Sequence, residues 1–179
     1  MSLLHQRLTV KLIEDRGAFD ALEVAWRALD AHPAVRVFQE FEWTASWVRT
    51  LGAAGGWRLK IATLWQEERL VGVLPLCVRR FKGLRILEWI AVRVSDYCDA
   101  ILDPRLDPAQ ALPTLWEAVT RSGGFDVARL QPNRRAGLLE SLAGAALILD
   151  CVVLTAHGRS GPSRGEFRPQ FGLRLLKCL

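Results

Sequence analysis

The run WRLKIATLWQEERLVGVLPLCVRR, from Trp57 to Arg80, constrains the fold more than any other part of the chain. Trp57 to Trp65 and Leu70 to Val78 are both rich in β-branched, aromatic and aliphatic residues. Gln66-Glu67-Glu68-Arg69 separates them as a polar turn, so the two runs predict an antiparallel hairpin. Pro75 lies inside the second run. Proline donates no hydrogen bond to a ladder, so Pro75 marks an edge, a bulge or a strand that splays from its neighbour.

The remaining elements arrange themselves around that hairpin. Arg7 to Ile13 alternates and predicts a first strand. Asp15 is placed to cap a helix whose apolar residues Phe19, Leu22, Ala25, Trp26 and Leu29 recur at helical spacing, and His32-Pro33 ends it. A second amphipathic helix has Phe41, Thr44, Ala45 and Val48 in one row and Trp43, Trp47 and Leu51 in another, with Gly52 as its stop. Trp43 and Trp47 stand a single turn apart on an apolar face, which predicts core anchors and not a stacking platform. Leu84 to Val92 is a further strand, and Arg93 to about Leu102 another.

Asp107-Pro108 predicts the start of a third helix, with Leu112, Leu115, Trp116 and Val119 buried and Gly123-Gly124 closing it. Pro113 offers an alternative start one turn later. Phe125 to Pro132 reads as a strand, Asn133 as the cap of a short helix, and Ala145 to Leu154 as a last apolar strand. The order β α α β β β β α β α β predicts an α/β (α+β) fold: a mixed, mostly antiparallel sheet flanked by helices.

Composition narrows the class. The 179 residues are 50% hydrophobic and 24% charged, a globular profile with enough chain for one core. No apolar run approaches the roughly 18 to 20 residues of a membrane span, and the first residues meet charge too early for a signal peptide, so a cytoplasmic protein without membrane insertion is expected. The net charge of +5 suggests nucleic acid until it is located. Thr155 to Leu179 holds five basic residues (Arg159, Arg164, Arg168, Arg174, Lys177) against Glu166. The body is therefore almost neutral and lacks the basic face that nucleic-acid binding requires. Cys77, Cys98, Cys151 and Cys178 are too scattered for a metal site, as are His5, His32 and His157. The first three cysteines read as small buried residues, kept reduced, in strand-like runs.

No GxSxG, P-loop or GxGxxG motif is present. A series of phrases does register: F-Q-x-F-x-W-x-x-x-W at Phe38 to Trp47, L-V-G-V-L-P-L at Leu70 to Leu76, G-L-R-x-L at Gly83 to Leu87, and S-D-Y-x-D at Ser95 to Asp99. Together they resemble the CelD-like acyltransferases, bacterial proteins of the wider GNAT superfamily associated with cellulose and exopolysaccharide synthesis. In architecture these are similar to the Fem-type aminoacyl transferases. The resemblance covers about Leu8 to Val153.

The resemblance implies a GNAT-like sheet and a protein built of two such halves at roughly double this length. It implies acyl-CoA (acetyl-CoA) as co-substrate, gripped mainly by the missing C-terminal half. The acceptor would be a small molecule or a polysaccharide precursor. Residues 1–154 would be the N-terminal half and 155–179 a basic, Gly- and Pro-containing non-family tail, read as loop or disorder. A frameshifted or truncated reading frame would produce that pattern. The family's pyrophosphate grip is a basic-glycine turn at a helix start, and the candidate here is Arg79-Arg80-Phe81-Lys82-Gly83. That turn leads toward another strand, so no acyl-CoA site is expected on this chain alone. Arg121-Ser122-Gly123-Gly124 sits at a helix end, where carbonyls are exposed.

Alternation over Arg93 to Leu102 puts Ser95, Tyr97 and Asp99 on one face and Asp96 on the other. A hydroxyl, a phenol and a carboxylate at spacing two would orient an acceptor hydroxyl or amine, and a buried carboxylate would serve as general base. The competing reading is structural: Ser95 and Asp96 form a turn and Tyr97 is a partly buried ring. Two functions follow: an acyltransferase-type domain, or a non-catalytic interaction module lacking the acyl-CoA half.

Overall fold

A computed structural model describes residues 8–32, 35–130 and the backbone of 152–154. The mixed, mostly antiparallel α+β architecture is as expected, but the strands form two sheets and not one. The first has the order β1 (Leu8–Ile13), β3 (Ile61–Gln66), β4 (Arg69–Leu74), β7 (Ile101–Leu102) and is antiparallel throughout. The second runs β2 (Arg58–Leu59), β5 (Leu76–Phe81), β6 (Leu84–Trp89), β8 (Val127–Leu130), β9 (Val152–Leu154), with only β6 and β8 parallel.

Both arms of the Trp57–Arg80 hairpin pass from one sheet to the other. On one arm Lys60 alone separates β2 from β3; on the other Pro75 alone separates β4 from β5. Lys60 N–H donates to the Leu76 carbonyl at 2.9 Å, and the Pro75 carbonyl accepts from Ile90 N–H at 3.0 Å. Of the three roles open to Pro75, the splay is the one adopted. A residue with no N–H stands where the ladder changes partners, so no donor is stranded.

Helices cover both faces of the first sheet. Ile13, Ile61, Leu70 and Val73 pack under α1 (Arg16–Asp20), α2 (Glu23–Asp30) and α3 (Phe41–Trp47) with Phe19, Trp26, Phe41 and Trp47. Ala62, Leu64, Val71 and Leu74 pack under α4 (Pro108–Ser122) with Leu112, Leu115 and Val119. A sheet buried on both sides needs near-continuous apolar strands, which explains why the hairpin alternates so little.

The helix starts follow the sequence. Asp15 caps α1 by accepting from Ala18 N–H at 2.8 Å, and Asp107 caps α4 by accepting from Ala109 N–H at 3.0 Å. The Asp107 start is thus adopted, and Pro113 lies within the helix on its exposed side. Other boundaries moved. The first predicted helix is two, broken at Ala21-Leu22. The second does not stop at Gly52: it passes through a π-helical turn, Val48–Gly52, into Ala53-Ala54 and ends near the Gly55-Gly56 pair. Gly52 is there for close approach: a Cβ on it would lie 2.7 Å from the Trp47 ring. The π turn also rotates Leu51 outward to 53% exposure, so it is not the core residue its spacing suggested. Trp47 is buried; Trp43 is only partly so.

The largest correction concerns Arg93 to Leu102, of which only Ile101–Leu102 is strand. The chain leaves the sheet at Ala91, which has φ of 60°, and Val94 N–H closes a turn onto the Ala91 carbonyl at 2.9 Å. Side chains then replace the ladder: Asp99 accepts from Ala100 N–H and Gln39 donates to the Ala100 carbonyl. Cys98 accordingly lies outside any strand, half-buried, while Cys77 is buried in β5; both are free. The predicted Asn133 helix, Ala145 to Cys151, and the tail from Thr155 lie outside the described residues.

Candidate functional site

The irregular segment 93–100 folds back onto the short 3-10 turn Val37–Gln39 and the start of α3. Ser95 is buried, and its hydroxyl oxygen accepts from the Trp43 indole N–H at 2.9 Å. The Tyr97 oxygen accepts from Phe38 N–H at 3.4 Å, and its ring stands edge-on to Phe38 at 4.9 Å between centroids. Phe38 in turn stands edge-on to Trp43 at 4.8 Å, and the Arg36 guanidinium lies 5.7 Å from the centre of the Tyr97 ring.

Ser95 and Tyr97 therefore meet one aromatic cluster, though not as members of a common strand face. Asp99 sits beside them, half-buried, with one oxygen on Ala100 N–H at 2.8 Å. Asp96 is exposed and apart. Spacing alone overlooked Arg36, Phe38, Gln39 and Trp43 as partners. The signal was present in the phrase F-Q-x-F-x-W, whose first and last residues are those that receive Tyr97 and Ser95.

Burial pushes the Cys98 thiol up to about 12, with the Ser95 hydrogen bond opposing and Asp99 adding to the rise. It stays a thiol and is no nucleophile at neutral pH. Asp103, just after β7, is structural. Arg105 foremost, and Arg69, hold its carboxyl well below the usual range against the effect of burial, with contacts of 2.8 and 2.7 Å.

The Arg79–Gly83 turn takes a different form from a phosphate loop. Lys82 and Gly83, with φ of 49° and 82°, make the two-residue connection between β5 and β6, where Phe81 faces Leu84. This is a hairpin turn with no helix behind it. Arg79 points into the protein and donates to the fully buried Glu88 at 2.6 Å, while Arg129 donates to the other Glu88 oxygen at 2.6 Å. Arg80 is exposed on the opposite face. Burial and then the Glu88 charge raise the Cys77 thiol well above its ordinary value. Among the described residues no group of three His, Cys, Asp or Glu side chains is arranged to hold a metal ion, and no helix is long and apolar enough to cross a membrane. No family model, curated protein or solved structure matches this chain.

Proposed function

We propose that this chain is the acceptor-side domain of a two-part, GNAT-like acyltransferase linked to cellulose or exopolysaccharide synthesis in the cytoplasm. The observation that supports it is the junction of segment 93–100 with the 36–43 turn. The phrases F-Q-x-F-x-W and S-D-Y-x-D, which carry the resemblance, meet there in hydrogen bonds and ring contacts. Tyr97 and Asp99 stay half-buried at that junction, where an acceptor hydroxyl or amine would find a phenol and a carboxylate.

In the whole enzyme the acceptor oxygen or nitrogen attacks the thioester carbonyl and the thiol of CoA leaves. A base takes the acceptor proton and an N–H donor holds the developing oxyanion. This domain would orient the acceptor; the companion half would bring the acyl-CoA. Local chemistry supports that division. Arg79 is already paired to Glu88, and the first turn of α4 is capped by the Asp107 carboxylate, which repels an anion.

A second reading, a non-catalytic interaction module, draws on the same contacts. Ser95 and Tyr97 both accept bonds from within the domain, as groups that merely strap a loop would. Calorimetric titration with acetyl-CoA tests the proposal. The expected dissociation constant is no tighter than about 1 mM, near −4 kcal/mol. Micromolar binding abolished by Arg79→Gln with Arg80→Gln would make this chain a complete acyltransferase and overturn the half-enzyme reading.

A further inference from the structure

Where β2, β5 and β6 meet the Gly55-Gly56 turn, the surface holds a small concavity of about 120 Å3. Gly55, Gly56, Arg58, Val78, Arg79, Arg80 and Arg85 line it. The strand register explains why these residues converge. Arg58 faces Val78 across β2–β5, and Arg80 faces Arg85 across β5–β6. Val78 and Arg80 are two apart on β5, so all four side chains leave the same face of the sheet. Arg79 leaves the other face and is committed to Glu88.

Three guanidinium groups from three strands are thus gathered over one valine. Like charges directly opposite each other on neighbouring strands are destabilising. Arg85 is answered by Asp126, which it contacts at 2.6 Å and whose carboxyl it holds down at about 2. Arg58 and Arg80 have no carboxylate partner among the described residues, so within the described fold the concavity keeps a net positive charge. Its wall beside the arginines is backbone. Gly56 has φ of 65°, and a Cβ there would meet nothing within 4 Å. Gly55 N–H is already given to the Leu51 carbonyl at 3.0 Å, so the donors for an oxyanion are the guanidinium forks, with the open Gly56 turn leaving room beside them. The volume lies well below the roughly 300–1,000 Å3 of pockets that take drug-sized ligands. It suits a single tetrahedral group.

We propose that this pocket binds a phosphate-class dianion, either inorganic phosphate or a terminal phosphomonoester, between Arg58, Arg80 and Arg85 at the Gly55-Gly56 turn. The site shares Arg80 with the Arg79–Gly83 turn; Arg79 borders it, but its guanidinium is held by Glu88 on the other face of β5.

The test is titration of the full chain with inorganic phosphate at low salt, followed by calorimetry and by the Gly56 amide resonance. Saturable binding at one site is expected, with a dissociation constant of about 1 mM or tighter. Arg58→Gln and Arg80→Gln should each weaken it about tenfold, the scale of one charge-assisted hydrogen bond. Both side chains are exposed and without a carboxylate partner in the described fold, so unchanged melting in phosphate-free buffer should accompany the loss. Arg121→Gln, on the exposed side of α4, should leave binding as it was. A methyl phosphate arm identifies the source: tighter binding than phosphate assigns the site to a phosphorylated metabolite, equal or weaker binding to the free ion. A linear, unsaturable response, an equal loss in Arg121→Gln, or a Gly56 amide that does not move would overturn the proposal.

Discussion

The interior is filled in two unlike ways, and both occur on the same side of the sheets. Under α1, α2 and α3 it is aromatic: Phe19 stacks on Phe41 at 5.2 Å, and Trp26 meets both edge-on at 6.2 and 5.8 Å. Further along β5 and β6 the same side buries a carboxylate, Glu88, between Arg79 and Arg129. The first arrangement draws its stability from area removed from water. The second contributes little net stability, because desolvating the ions offsets their attraction. It determines register instead. β8 is tied to β6 by a short parallel ladder, Ile86 to Val127 and Leu87 to Ala128. Arg85–Asp126 stands at one end of that ladder and Glu88–Arg129 at the other, so a slip of one residue would break both pairs.

The difference can be broken by mutation. Trp26→Ala should cost about 3–5 kcal/mol in urea unfolding, with no second substitution able to restore it. Glu88→Gln should cost about 3 kcal/mol, because two guanidinium groups lose their counter-charge. In contrast to Trp26, the ionic site should be repairable: Glu88→Leu with Arg79→Met should recover most of that loss. Wild-type stability in Glu88→Gln alone would show that the pair is not a buried network.

Titration sharpens the contrast with opposite signs. Asp30, at the end of α2, caps α3 by accepting from Phe41 N–H at 2.7 Å, yet its Oδ1 is buried without a partner among the described residues. Burial raises its carboxyl from 3.8 to about 6, with the Phe41 bond opposing. The folded state then holds the proton more tightly, so stability should fall as pH rises between about 4 and 6, and Asp30→Asn should remove that slope. Asp126 behaves in reverse. The Arg85 hydrogen bonds lower it from 3.8 to about 2, so its contribution is present above about pH 4 and lost as pH falls toward 2. Asp126→Asn should flatten that acid limb in melting curves. The smallest effect belongs to Leu51→Ser, which should change stability by about 0.5 kcal/mol or less, since the π turn has already placed that side chain in solvent.

Much of the fold was legible in the chain. The caps Asp15 and Asp107, the buried faces of the helices, and the hairpin with its turn at Glu67-Glu68 all follow from short-range pattern. Even the disturbance at Pro75 was visible, although which disturbance it makes was not. The candidate site was half legible. Ser95, Tyr97 and Asp99 were identified as polar chemistry in an apolar setting, but the alternation that placed them on one strand face was misleading. Ala91 turns the backbone away first, and their partners Phe38 and Trp43 lie more than fifty residues earlier.

The sequence by itself determined what local physics can determine. A missing proline N–H, a carboxylate ahead of a helical stripe and apolar residues at period 3.6 act within a few residues of one another. Tertiary structure alone decided that one hairpin would feed two sheets, that Arg79 would turn inward while Arg80 turned out, and that Glu88 would be buried. Those outcomes depend on which strand lies beside which. Val78 and Arg80 share a face with Arg58 and Arg85 only once β2, β5 and β6 are in register. Nothing in the spacing of four residues along a chain encodes that pairing; it follows from the long-range packing that brings the strands together.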